Sequence, residues 1–122
     1  MAKKPEAKVK DRVRETLHAY GIVPIQQYDE IADSTYWQPG ATLYGTSGQP
    51  DFIIVIRGKI MTVETKATTK LTANQERFYH GIGRAGGVAL VIHQNDEAAF
   101  DTLCYLIVSM REEPMPTMEV RV

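Results

Sequence analysis

Asp51-Phe52-Ile53-Ile54-Val55-Ile56-Arg57-Gly58-Lys59-Ile60-Met61-Thr62-Val63-Glu64-Thr65-Lys66 is the stretch that decides how this chain is read. Phe52–Ile56 is a continuous apolar run rich in β-branched residues, the pattern of a strand buried on both faces. Arg57-Gly58-Lys59 supplies a turn, and Ile60–Lys66 reads as the returning strand. With Gly58 and Lys59 as the two central residues of the turn, glycine first, Arg57 pairs with Ile60, Ile53 with Glu64 and Asp51 with Lys66. Directly opposed residues share one side of a sheet, and so do residues two apart along a strand. The hairpin is therefore expected to bring two carboxylates, Asp51 and Glu64, and one ammonium, Lys66, onto one face near the strand ends.

Upstream, Val9, Val13, Leu17 and Tyr20 recur at helical spacing and predict an amphipathic helix over residues 5–20. Pro5 suits its first turn and Gly21 its end. Carried three residues further back, the stripe reaches Glu6 and places a carboxylate on the core-facing line. Ile22 to about Tyr28 reads as a strand, confined by Pro24 to an edge or a strand start. Residues 29–50 read as a long turn-rich loop with room for a short strand. Downstream, Leu71, Gln75, Phe78, Ile82 and Ala85 mark a second helix, ended by Gly86-Gly87. Val88–His93 reads as another buried strand. Asn95 or Asp96 caps a last helix with Phe100, Leu103, Ile107 and Met110 on one face. The tail beyond Met110 holds Pro114 and Pro116 and is expected to be irregular. A central mixed sheet flanked by helices, an α/β domain spanning 1–122, buries all these faces.

Composition narrows the class. A chain of 122 residues with 43% hydrophobic and 24% charged residues is long and apolar enough for one packed core, which excludes a disordered or membrane-spanning class. Cys104 is the only cysteine, which fits a reducing, cytoplasmic compartment. The start, Met1 to Lys10, has no apolar segment behind its charges and does not read as a secretory signal. A net charge of −1 argues against coating nucleic acid by bulk charge and leaves room for a local basic patch. The first fourteen residues do concentrate lysine and arginine, as a solvated helix face also would.

Each member of the trio has a plain reading as a turn or surface residue. Beside a buried strand, however, carboxylates are costly unless paired or bound to a metal. Clustered oxygen donors suit Mg²⁺ or Mn²⁺, with Asp51 and Glu64 as ligands and a backbone carbonyl such as that of Thr65 as a third. No paired histidines or cysteine cluster suggest zinc. A metal so held polarises a phosphoryl oxygen and activates water, and Lys66 is placed to orient that water and to stabilise charge growing on phosphorus. The chemistry this favours is phosphodiester hydrolysis.

Gly48-Gln49-Pro50-Asp51, then Glu64-Thr65-Lys66 thirteen residues after Asp51, then Gln75 and a helix ending in Gly-Gly, together resemble the PD-(D/E)xK nuclease superfamily, and within it the virus-type replication-repair nuclease (VRR-NUC) domain. The resemblance covers roughly residues 5–93. It implies a restriction-endonuclease-like αβββαβ core and Mg²⁺- or Mn²⁺-dependent cleavage of DNA by Asp51, Glu64 and Lys66. Gln75 matches the family's glutamine on the following helix, and Glu6 the acidic residue of the first helix, a further metal ligand. The small residues Ser47 and Gly48 match a turn that approaches DNA in the family, and a plain tight turn explains them equally well. Many stand-alone viral members are homodimers acting on branched DNA, so the resemblance also implies a homodimer and a Holliday junction resolvase-like activity on replication or recombination intermediates. Residues 29–44, with Tyr36, Trp37 and Tyr44, have no clear family counterpart.

The remaining candidates carry two readings. Gln75 completes a capping box with Thr72 and also lies in the stripe aimed at the sheet. Glu6 equally favours a helix dipole. Lys70 and Arg77 are placed to contact phosphates, which would make binding salt-sensitive. Tyr36 and Trp37 could stack on an unpaired base or cover the core. His18, His80 and His93 read as structural. Twofold cutting would gain from a homodimer. The alternatives to a nuclease of branched DNA are a catalytically silent nucleic-acid-binding module on a nuclease fold and a sequence-reading restriction-type enzyme.

Overall fold

The computed structural model describes residues 4–40 and 48–113. Ser47, Tyr44 and the tail holding Pro114 and Pro116 lie outside the described residues. The protein is an α/β domain with one five-stranded mixed sheet, strand order β1-β2-β3-β4-β5, flanked by helices. Its elements are α1 (Pro5–Ala19), β1 (Val23–Pro24), a 3-10 turn (Ile25–Gln27), β2 (Ser34–Trp37), β3 (Phe52–Ile56), β4 (Lys59–Lys66), α2 (Ala73–Arg84), β5 (Val88–His93) and α3 (Glu97–Arg111). β1 runs parallel to β2, β2–β3–β4 form an antiparallel meander, and β5 lies parallel to β4. No described helix is long and apolar enough to cross a membrane.

α1 and α3 cover one side of the sheet. Val9, Val13 and Leu17 from α1 join Phe100, Leu103, Ile107 and Met110 from α3 in a core completed by Phe52, Ile54, Ile56, Met61, Val63 and Ile92. Burying each such side chain stabilises the fold by ~1.5–3 kcal/mol. Asp96 caps α3, its carboxylate accepting the amide of Ala99 at 3.1 Å. Gly21, at φ +74°, takes the chain out of α1. His18 on α1 pairs its Nε2 with the Tyr36 hydroxyl at 2.8 Å. Tyr36 is thereby a core residue (3% exposed), not a platform for a base, whereas its neighbour Trp37 is 37% exposed.

The other side of the sheet is covered more thinly. α2 packs chiefly on β5 and buries none of its residues completely. Phe52–Ile56 consequently alternates, with Phe52, Ile54 and Ile56 buried and Ile53 and Val55 half-buried, so this strand is closed on one face rather than two. β5 likewise fully buries only Ile92. The strand expected over 22–28 shrinks to Val23–Pro24, because Pro24 offers no amide to a ladder and the chain turns at once into the 3-10 turn. Within the expected loop, Ser34–Trp37 forms a true strand beside β3.

The hairpin also differs from expectation. Ile56 pairs with Lys59, so the turn residues are Arg57 and Gly58, at φ 49° and 86°. Two positive φ values in succession describe a type I′ turn, which suits the twist of the flanking strands. Arg57 is held in this conformation from outside the hairpin. Its amide donates to the Asp33 carbonyl at 2.9 Å, its Nε to the Glu113 carbonyl at 2.7 Å, and its guanidinium lies 3.7 Å from the Asp33 carboxylate. Arg111, at the end of α3, reaches the same carboxylate at 3.6 Å and the Ser34 hydroxyl at 3.1 Å. These contacts tie the turn, β2 and α3 together at one end of the sheet.

Candidate metal centre

The site residues gather at the opposite end of β3 and β4. The corrected hairpin register moves each pairing by two positions, an even step that leaves every β4 side chain on its expected side. Asp51, one step beyond the Phe52–Val63 pair, comes opposite Glu64 and not Lys66. Its carboxylate lies across β4, where Oδ2 accepts the Thr65 amide at 2.8 Å and the Thr65 hydroxyl at 2.7 Å. Thr65 is fully buried, so this oxygen is fixed from the core side.

Glu64 is buried within β4, between Val63 and Thr65, at 8% exposure. Its Oε1 accepts from Gln75 Nε2 at 3.2 Å. The Glu64 carboxyl pKa is pushed up to about 8, chiefly by burial; the charge of Asp51, a hydrogen bond with it and the charge of Glu6 add to the rise, and Lys66 opposes it. A carboxyl so buried beside a second carboxylate keeps its proton unless a cation replaces it.

Glu6 enters from the first turn of α1. One carboxylate oxygen from each of Glu6, Asp51 and Glu64 can lie within 4.8 Å of the others. Oxygens bound ~2.0–2.6 Å from one ion are separated by comparable spans, so this all-oxygen donor set could hold a hard cation. The charge of Lys66, two residues along β4, reaches Glu64, and Lys66 is half-buried.

Both readings of Gln75 hold at once, because its amide has two ends. Oε1 accepts the Thr72 backbone amide at 2.9 Å while the Gln75 backbone amide donates to the Thr72 hydroxyl at 3.2 Å, a complete capping box. Nε2 remains to hold Glu64. Gly48 lies against this same helix start at φ +85°, where a Cβ would stand 2.6 Å from Asn74 backbone and side-chain atoms. Its small size thus lets the Pro50-Asp51 turn pack onto α2, and a shallow crevice beside it is lined by Gly48, Pro50, Glu64, Gln75, Phe78 and Leu90. Lys70 is exposed. Arg77 is also exposed and donates to Asn74 Oδ1 at 3.0 Å.

One residue of the site went unnoticed in the sequence. Lys10 Nζ lies 3.4 Å from Asp51 Oδ1. The available signal was its place four residues after Glu6, which puts both on one face of a helix. Comparison with protein-family models, with curated proteins and with solved structures gives no match for this chain.

Proposed function

We propose that this protein is a Mg²⁺- or Mn²⁺-dependent deoxyribonuclease of the PD-(D/E)xK type, VRR-NUC-like, that hydrolyses phosphodiester bonds in branched DNA such as a Holliday junction. The observation that carries the reading is the convergence of Glu6, Asp51 and Glu64 from α1, the turn before β3 and β4, to within 4.8 Å, with Lys66 beside them. The order of elements supports the restriction-endonuclease-like αβββαβ core: α1, the meander β2–β4, α2, then β5 parallel to β4.

In this reading Asp51 and Glu64 hold the ion, joined by Glu6 and the Thr65 carbonyl. The bound ion supplies Lewis-acid polarisation of the phosphate and a water of lowered pKa. Thr65 fixes Asp51 and Gln75 fixes Glu64, so the ligands meet the ion without reorganising. Lys66 orients the attacking water and stabilises the charge that grows on phosphorus. Lys70 and Arg77 contact flanking phosphates, Gly48 approaches the strand, and two copies form a homodimer acting in the cytoplasm.

The test offers labelled four-way junction, flap, duplex and single-stranded DNA with Mg²⁺ or Mn²⁺, and Glu64→Ala in parallel. Metal-dependent cutting that the variant lacks supports the enzyme and ranks its DNA shapes. A folded protein that binds DNA and cuts none of them is instead a silent binding module.

A further inference from the structure

Lys10 stands one helical turn beyond Glu6, so the two side chains leave α1 toward the same end of the sheet. The Lys10 side chain is 34% exposed, enough to swing outward, and its ammonium lies 3.4 Å from Asp51 Oδ1. The other oxygen of Asp51 already accepts two hydrogen bonds from Thr65. An oxygen so engaged has little capacity left for a cation, so Oδ1 is where a divalent ion and the ammonium meet. Once Glu64 gives up its proton in favour of the ion, the three carboxylates and the two lysines, Lys10 and Lys66, carry one formal negative charge. A divalent ion turns this into one positive charge, which a single phosphodiester neutralises.

Resting on the nuclease reading above, we propose that Lys10 is a displaceable counter-ion: its ammonium and the divalent cation are alternative partners of Asp51, and the ammonium released by the ion takes a non-bridging oxygen of the DNA phosphate. Lys10 is then a residue that metal binding hands over to the substrate. The handover couples the two events, because an ion that displaces Lys10 creates the cationic spot the phosphate needs.

The full chain is titrated with Mn²⁺ alone by isothermal calorimetry as wild type, Lys10→Met, Lys10→Arg and Glu64→Ala. Methionine keeps the length of the stem and removes the charge. Lys10→Met is expected to bind Mn²⁺ about fivefold more tightly, the equivalent of ~1 kcal/mol for a partly exposed pair. The same variant is expected to bind a four-way junction several-fold more weakly in Ca²⁺, and Lys10→Arg to restore both values. A role in folding alone would weaken metal binding or leave it unmoved. If Lys10→Met takes Mn²⁺ no more tightly than wild type while Glu64→Ala has lost it, the counter-ion role is overturned and the metal site stands. If wild type takes no Mn²⁺, both are overturned.

Discussion

Replacing Glu64 by glutamine preserves the shape of the side chain and its acceptor for Gln75 Nε2, and removes its titration. The Glu64 carboxyl keeps its proton to about pH 8 in the folded protein, against an ordinary value of 4.5. Between those values the folded state binds more protons than the unfolded chain, so stability falls as pH rises through this window and the contribution is fully present only below the ordinary carboxyl value. At 1.36 kcal/mol per pH unit, the linkage has an upper bound of ~4 kcal/mol at pH 8. Relaxation and water entry at the open end of the sheet bring the expected loss to ~2–3 kcal/mol. Urea unfolding in EDTA at pH 5, 6, 7 and 8 measures it as a difference between wild type and Glu64→Gln, in which the other titrating groups cancel. Glutamine should gain on wild type by that amount across the series. Adding Mn²⁺ at pH 8 should then raise the stability of wild type and do little for the variant. Parallel stability curves, with a constant offset from pH 5 to 8, would refute the claim that this carboxyl is held dry and protonated.

Gly48→Ala forces a Cβ to within 2.6 Å of Asn74 at a positive φ, and is expected to cost ~2–4 kcal/mol in chemical unfolding and to weaken Mn²⁺ binding by shifting Asp51. Gln75→Glu keeps the acceptor that the capping box needs but sets a carboxylate against Glu64, so its melting temperature at pH 5 should stay near wild type while at pH 8 it falls by several degrees without metal. Leu103→Ala opens a cavity in the fully buried seam between α3 and the sheet and should cost ~2–5 kcal/mol in urea, with metal affinity unchanged in the folded fraction.

Periodicity carried most of the fold. The stripes of α1 and α3 and the apolar runs of β3 and β5 appear where spacing places them, because each buries a face and the need for burial is written in consecutive residues. β2 was harder to see: four residues between turn formers give no period, and they are held as a strand by pairing with β3. The hairpin register depended on Arg57 accepting a positive φ. A glycine-first turn was the local preference, and Asp33 and Glu113, far off in sequence, overrule it. Asp51 and Glu64 stood out as carboxylates against an apolar run. Lys10 did not, since a lysine among lysines on a helix looks like a solvated face until the sheet end it reaches is known.

The Asp33 clamp around Arg57 and Arg111 has a consequence for how this domain can change. It sits at the turn end of β3 and β4, one strand length from the carboxylates, with no described residue in common. Perturbations at separated sites without shared partners add independently. The protein therefore has a mechanical pole and a carboxylate pole joined by two strands, and its ruggedness and its candidate metal site can drift, or be engineered, on separate schedules. Residues around Asp33 can be improved for endurance without touching what happens at Asp51.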